Sequence, residues 1–200
     1  MASEASVAAV HLIALRHGES TLNAQGRLTG QLDPPLTPSG RVQARRLAPL
    51  AARPYDLRLH SGARRAEETL RLACDAAGLP GVALEADARW RERSYGELEG
   101  GPPDAWRQPI DIDAAPPGGE SYRQLGMRVL AAVDDLHDRA AAAGRPLQVL
   151  LCAHSGVLRM LRGIAECTED LAPLLGDGAG NAEALELTYI RAAAPVFLTT

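Results

Sequence analysis

The chain has 200 residues and a mass of 21.2 kDa, with 21 basic and 25 acidic residues for a formal net charge of -4. Every basic residue is arginine. The missing lysine excludes a Gly-Lys-Ser/Thr phosphate loop, a kinase strand lysine and a Schiff-base lysine, and the acidic balance argues against nucleic acid or an anionic membrane as partner. No apolar run is long enough to span a bilayer. The start carries Glu4 and no basic residue, unlike a signal peptide. Cys74, Cys152 and Cys167 are odd in number and lack metal-type spacing, so they read as reduced thiols of a cytoplasmic protein. With 36 alanines and one phenylalanine, the large core side chains must come from Leu, Val and Ile.

Four apolar runs read as buried strands. The first, Val10–Leu15, hands over to Leu15-Arg16-His17-Gly18-Glu19-Ser20. The second, Tyr55–His60, is followed by Ser61-Gly62-Ala63-Arg64-Arg65 and by Ala66, Leu70, Ala73 and Ala77 at helical spacing. Residues 100–119 then interrupt the alternation with prolines at 102, 103, 109, 116 and 117 and four glycines, which makes them either a lid or a mobile insertion. A helical face of Tyr122, Leu125, Val129, Val133 and Leu136 precedes the third strand, Leu147–Ala153. That strand ends in His154-Ser155-Gly156 and is followed by Val157, Leu158, Leu161 and Ile164 at the same period. Ala184–Ile190 is the fourth. Short strands alternating with amphipathic helices predict one α/β domain, a mostly parallel sheet with helices on both faces.

Ligands of such sheets bind beyond the carboxyl ends of the strands. Three junctions there deliver two histidines and at least two arginines, a set suited to a phosphate or carboxylate, with guanidinium forks on its oxygens. The adjacent Arg64 and Arg65 at a helix start stand at the unfavourable end of the dipole and call for an anion. Competing phosphate chemistries miss on spacing. Six residues separate Cys152 from Arg159 where a cysteine phosphatase has five, and Asp111-Ile112-Asp113 lies in the insertion rather than after the first strand. The five histidines do not provide metal-ligand spacing. Histidine itself is left as the nucleophile.

These residues resemble the histidine phosphatase superfamily, the phosphoglycerate mutase-like enzymes. The likeness runs from Leu15–Ser20 and Asn23 through Thr29-Gly30-Gln31-Leu32-Asp33, Arg65-Ala66 with Thr69, Arg91-Glu92 with Tyr95–Gly100, and Pro117–Ser121 to Ala153–Arg159. It implies a phosphoglycerate mutase-like fold and a two-step phosphoryl transfer on His17. Arg16 and Arg65 would stabilise the transferring group and lower the pKa of His17. His154 would be cationic or donating. Glu92 would pass a proton to the leaving oxygen and take one from water; its bland reading is a surface acid between Arg91 and Arg93. Asn23, Thr29, Gly30, Tyr95 and Ser155 would contact substrate.

No cofactor or metal is expected, and the partner is a small phosphorylated metabolite. Hydrolysis of a phosphomonoester leads over a mutase, which needs further cations for the far end of its substrate; in the insertion only Arg107 is basic. A phosphate-binding protein without turnover is the third reading. His60, where the family has a small polar residue, either lines the pocket rim or ends its strand. Trp106 either stacks on substrate or anchors the insertion, and Asn181-Ala182-Glu183 is left outside the site.

Overall fold

The computed structural model describes residues 8–105, 111–168, 180–191 and 198; Trp106, Arg107 and Pro109, and any role for them, lie outside these. The chain forms β1 (Val10–Arg16), α1 (Thr21–Ala24), α2 (Pro38–Arg46), α3 (Ala48–Ala51), β2 (Leu57–His60), α4 (Arg64–Ala76), β3 (Glu85–Ala86), α5 (Tyr122–Ala143), β4 (Leu147–Ala153), α6 (Ser155–Ala165) and β5 (Ala184–Tyr189). Short 3-10 turns at Ala88–Trp90 and Gly96–Leu98 bracket the segment carrying Glu92.

The sheet order is β3-β2-β4-β1-β5, parallel except for β5, which runs antiparallel beside β1. From β1 the chain crosses to the β2 side, and from β4 it returns to the β5 side. The crevice beyond the carboxyl ends of β1 and β4 is therefore the topological switch point. Register pairs Leu15 with Cys152 and Arg16 with Ala153, so the next residues, His17 and His154, emerge side by side. The predicted α/β architecture is the one observed.

Period-two alternation along β1 splits the core. Val10, Leu12 and Ala14 face α5 and α6, joining Trp90, Leu125, Val129 and Leu161. Ile13 and Leu15 face the other way, against Ala66, Leu70 and Ala73 of α4 and Leu47 and Ala51. Capping by Ser121, whose hydroxyl accepts from the Gln124 N–H, starts α5, and Gly144 in the left-handed region ends it.

Two expectations change. Ala184–Ile190 is not a buried strand: among the described strands β5 lies at the sheet edge beside β1, with alternating exposure, and Ile190 beyond it is 52% exposed. A helix absent from the sequence reading, α2, follows Leu36. Thr37 caps it, accepting from the Gly40 N–H at 2.9 Å, and Pro38 opens its first turn. The described ends of the insertion are tied down, with the Glu97 N–H on the Pro117 carbonyl at 3.0 Å and the Glu120 N–H on the Ser94 carbonyl at 2.9 Å.

The loop after β1 lies directly on α2. A Cβ at Gly18 would run into the carbonyl oxygen of Gly40, and one at Gly40 into that of Glu19. Both obstacles are backbone, so neither can turn aside. Gly40→Ala is expected to destabilise the fold by about 1–3 kcal/mol, read as a lowered urea midpoint at unchanged slope.

Candidate active site

Three backbone bonds fix the first residues past β1. The His17 N–H donates to the Ala153 carbonyl at 3.1 Å, the Arg16 N–H to the Glu183 carbonyl at 2.9 Å, and the Ala182 N–H to the His17 carbonyl at 3.2 Å. The segment left outside the site on sequence grounds thus clamps the backbone of Arg16 and His17, and the charge of Glu183 acts on the Arg16 guanidinium. Ala182 adopts φ 59 to do so, a conformation that costs a non-glycine residue free energy. The Gly18 N–H donates to Thr69 Oγ1 at 3.0 Å, which ties the same loop to α4.

The His17 ring is buried, and its partners set its tautomer. Nδ1 lies 2.7 Å from the Gly18 carbonyl, which can only accept, so the proton sits on Nδ1. Nε2 therefore keeps its lone pair, which accepts from Arg65 Nε at 3.2 Å. Burial lowers the pKa of His17 to about 3; the Arg65 and then Arg16 charges act in the same direction, and the Gly18 carbonyl opposes them.

His154, wholly buried, stands edge-on to His17 with ring centroids 5.1 Å apart. Its Nδ1 accepts from Arg65 Nη2 at 3.2 Å, so Nε2 carries the proton and donates to Ser61 Oγ at 2.8 Å. Burial holds its pKa well below the ordinary histidine value, and Arg65, His17 and Arg16 lower it further. The cationic reading of His154 is corrected: the ring is neutral, since a second positive charge beside Arg65 would be buried without a carboxylate.

Arg65 binds the site together. Only 1% exposed, it donates to the carbonyls of Gly30 (2.9 Å) and Leu32 as well as to both imidazoles, with Asp33 3.6 Å away. Its neighbour Arg64 stays exposed, its backbone N–H donating to Asp33 at 3.0 Å. Gly30, at φ 50, packs on the Glu99 side chain. The Glu99 carboxylate in turn accepts from the backbone N–H groups of Gln31, Leu32 and Tyr95 at 3.0–3.1 Å. Thr29 and Asn23 are linked at 3.4 Å, and Asn23 also caps α1 through Ser20.

Glu92 is not a surface acid between two arginines. Its carboxylate accepts from the backbone N–H groups of Arg93 at 2.8 Å and of Gly156, at the start of α6, at 3.2 Å. Arg93 turns away and is buried over the rings of Tyr122 (3.9 Å) and Tyr95 (5.2 Å). Arg91 reaches the Gln31 carbonyl at 3.2 Å. Arg128 of α5, which the sequence reading missed, donates to the carbonyls of Arg89, Arg91 and Glu92 and pairs with Glu120 at 2.7 Å, so the acid segment is held from behind. Burial raises the Tyr95 phenol to about 12, with Glu92 and Tyr122 acting in the same direction.

A cavity of about 160 Å³ brings together Arg16, His17, Asn23, Thr29, Gly30, Arg65, Glu92, Tyr95 and Ser155. His154 stands behind this wall rather than in it. Two other cavities, of about 630 and 250 Å³, lie elsewhere and take in none of these residues. Ser61, Arg27, Gly156 and Arg159 were missed. Ser61 had one signal, as the first polar residue after β2; Arg159 closes the last matched motif; Arg27 had none. His60 is buried and ends its strand, its Nδ1 accepting from the Gly62 N–H at 3.2 Å, and it does not reach the cavity.

Residues 12–190 match the histidine phosphatase superfamily, branch 1. A glucosyl-3-phosphoglycerate phosphatase of Mycolicibacterium vanbaalenii is 35% identical over 192 residues, which is 88% of this chain and 83% of the relative. A 2,3-bisphosphoglycerate-dependent phosphoglycerate mutase of Gloeobacter violaceus is 34% identical over 163 residues, 75% of this chain and 73% of the relative. Among solved structures, a mycobacterial glucosyl-3-phosphoglycerate phosphatase superposes with a TM-score of 0.72 at 31% identity, covering 90% of both chains.

The lowered histidines make stability depend on pH. Unfolded, His17 and His154 take up protons below about pH 6.5; folded, they resist until far lower, His17 to about 3. The stabilisation is complete above the unfolded value and is lost as pH falls toward the folded one, with a slope approaching about 1.4 kcal/mol per pH unit for each ring. The melting temperature should fall between pH 6.5 and 5, before paired carboxylates titrate, and His17→Asn should flatten that decline, as followed by circular dichroism.

Proposed function

The chain belongs to the histidine phosphatase superfamily, and we propose that it hydrolyses a small phosphomonoester through a phosphohistidine on His17. One observation carries this reading: the Nε2 lone pair of a neutral, oriented His17 shares a cavity with Glu92, Arg16 and Arg65.

In the first step Nε2 attacks phosphorus and the bond from phosphorus to the ester oxygen breaks. Glu92, entering as the carboxylic acid, gives its proton to the departing oxygen. In the second step the Glu92 carboxylate takes a proton from water as the water oxygen attacks phosphorus. The P–N bond breaks, inorganic phosphate leaves and His17 returns to its neutral form. Arg16 and Arg65 supply positive charge to the phosphoryl oxygens throughout, where most of the rate enhancement of such transfers arises. Arg65 spends its Nε on the His17 lone pair at rest and would transfer that donor to a phosphoryl oxygen when substrate enters. The described core chemistry asks nothing of a metal or cofactor.

Mutases of similar identity make phosphoryl transfer within one substrate the second reading. Hydrolysis is favoured because the likeness to the phosphatase relative spans more of both chains than the likeness to the mutase.

Purified protein in chelator, offered a panel of phosphomonoesters, should release inorganic phosphate, and acid-labile, base-stable phosphate should be trapped on His17. Glu92→Gln should lower kcat by about 10²–10⁴-fold, and Arg65→Lys by about 10²–10³-fold, because an ammonium cannot reproduce the guanidinium fork. No release from any member, with His17→Ala indistinguishable from wild type, would sink the hydrolase reading. Bisphosphoglycerate-dependent interconversion without net release would instead identify a mutase.

A further inference from the structure

The orientation of His17 rests on one peptide unit, and that unit is held from a helix outside the cavity. The Gly18 carbonyl, 2.7 Å from His17 Nδ1, shares its peptide plane with the Glu19 N–H. In a trans peptide the two groups point in opposite directions, so fixing one fixes the other. The Glu19 N–H donates to Gln43 Oε1 of α2 at 2.9 Å. Only the oxygen of a side-chain amide can accept, so this contact also sets which way the Gln43 amide faces. The preceding peptide is held as well: the Gly18 N–H donates to Thr69 Oγ1, whose own proton goes to the Arg65 carbonyl at 2.7 Å. Gln43 reaches Glu19 because α2 is pinned to that same residue. The N–H of Thr37, the cap of α2, donates to the Glu19 carbonyl at 2.9 Å. Gln43 is absent from the cavity wall.

We propose that Gln43 is a positioning residue for phosphoryl transfer: by holding the peptide unit between Gly18 and Glu19, it holds the His17 ring; in its kinetic form this rests on the hydrolase reading above. The bond from Nδ1–H to the carbonyl fixes the ring plane, and with it the direction of the Nε2 lone pair. As Nε2 bonds to phosphorus the ring gains positive charge, and the carbonyl dipole facing Nδ1–H stabilises it. A carbonyl whose own peptide N–H is bonded is the stronger acceptor, because hydrogen bonds in a chain polarise one another. Without Gln43 Oε1 the Glu19 N–H turns toward another acceptor, and the Gly18 carbonyl swings off Nδ1 with it. Arg65 still faces Nε2, so the tautomer is kept while the ring plane loosens.

The test compares Gln43→Leu, which lacks an acceptor, with Gln43→Glu, which keeps one; Gln43→Met replaces the first if it does not fold. The His17 Nδ1–H proton is followed by proton–nitrogen NMR, assigned by its absence from His17→Ala protein. Phosphate release gives kcat, and calorimetry gives the affinity for inorganic phosphate. The wild type should show a resolved, slowly exchanging Nδ1–H signal. In Gln43→Leu that signal should move upfield or broaden away and kcat should fall by about 10–100-fold, the scale of a misplaced reacting group. Phosphate affinity should hold, since Arg16 and Arg65 are untouched. Gln43→Glu should restore the signal and most of kcat. Val42→Ala, beside Gln43 but 50% exposed, should change neither. A folded acceptor-free variant that keeps both signal and kcat overturns the proposal. So does a lowered kcat with the Nδ1–H signal intact, or with phosphate affinity reduced by the same factor, since Gln43 would then serve the packing of the loop as a whole. Failure of both acceptor-free variants to fold overturns it in the same way, and a Gln43→Glu protein as impaired as Gln43→Leu overturns the role of the amide oxygen. Loss and rescue of the signal, with no phosphate released by the wild type from any phosphomonoester, would sink the hydrolase reading alone.

Discussion

The site depends on one buried guanidinium. Arg65 is 1% exposed, and removing such a charge from water costs several kcal/mol unless its donors find acceptors. They find two carbonyls, Gly30 and Leu32, and two imidazole nitrogens, His17 Nε2 and His154 Nδ1. The four acceptors come from three separate parts of the chain, so satisfying one side chain brings the loop after α1, the end of β1 and the end of β4 together. The same contacts settle the protonation of both histidines. A donor facing each ring nitrogen requires a lone pair there, and a nearby positive charge in a dry setting excludes imidazolium.

The second constraint is the grip on the backbone around these rings. The Gly18 carbonyl orients His17, Thr69 holds the Gly18 N–H, and the 182–183 segment holds Arg16 and His17 from the β5 side. Glu99 and Arg128 do the same for the strandless segments: a carboxylate collects three N–H groups, and a guanidinium collects three carbonyls. Loops rich in unpaired backbone groups become rigid when single charged side chains satisfy several of them at once. These bonds place Glu92, which lies on no helix or strand, in the wall of the cavity it shares with His17.

Much of this was legible in the sequence because strands and amphipathic helices carry local periodicity. β1, β4, α4, α5 and α6 follow from apolar spacing alone, and the polar residues at the strand ends mark where they converge. α2 was missed because its buried positions, Gly40 and Ala44, are too small to register as an apolar stripe. The burial of β5 was overread because its apolar composition says nothing of how many neighbours it has. The neutrality of His154 and the turning away of Arg93 follow from partners more than 25 residues distant, which no local pattern encodes.

By itself the sequence determined the chemistry that collects: an all-arginine chain with histidines and arginines at strand ends, in the order of the superfamily to which it belongs. These are choices of residue type and local spacing. The tertiary structure decided which of those residues share a cavity, which nitrogen of each imidazole keeps its lone pair, and which arginines are spent on carbonyls. It also left the Nε of Arg159 without an acceptor among the described residues. Those outcomes depend on burial and on which partners sit within about 3 Å, quantities set only when distant segments pack against one another.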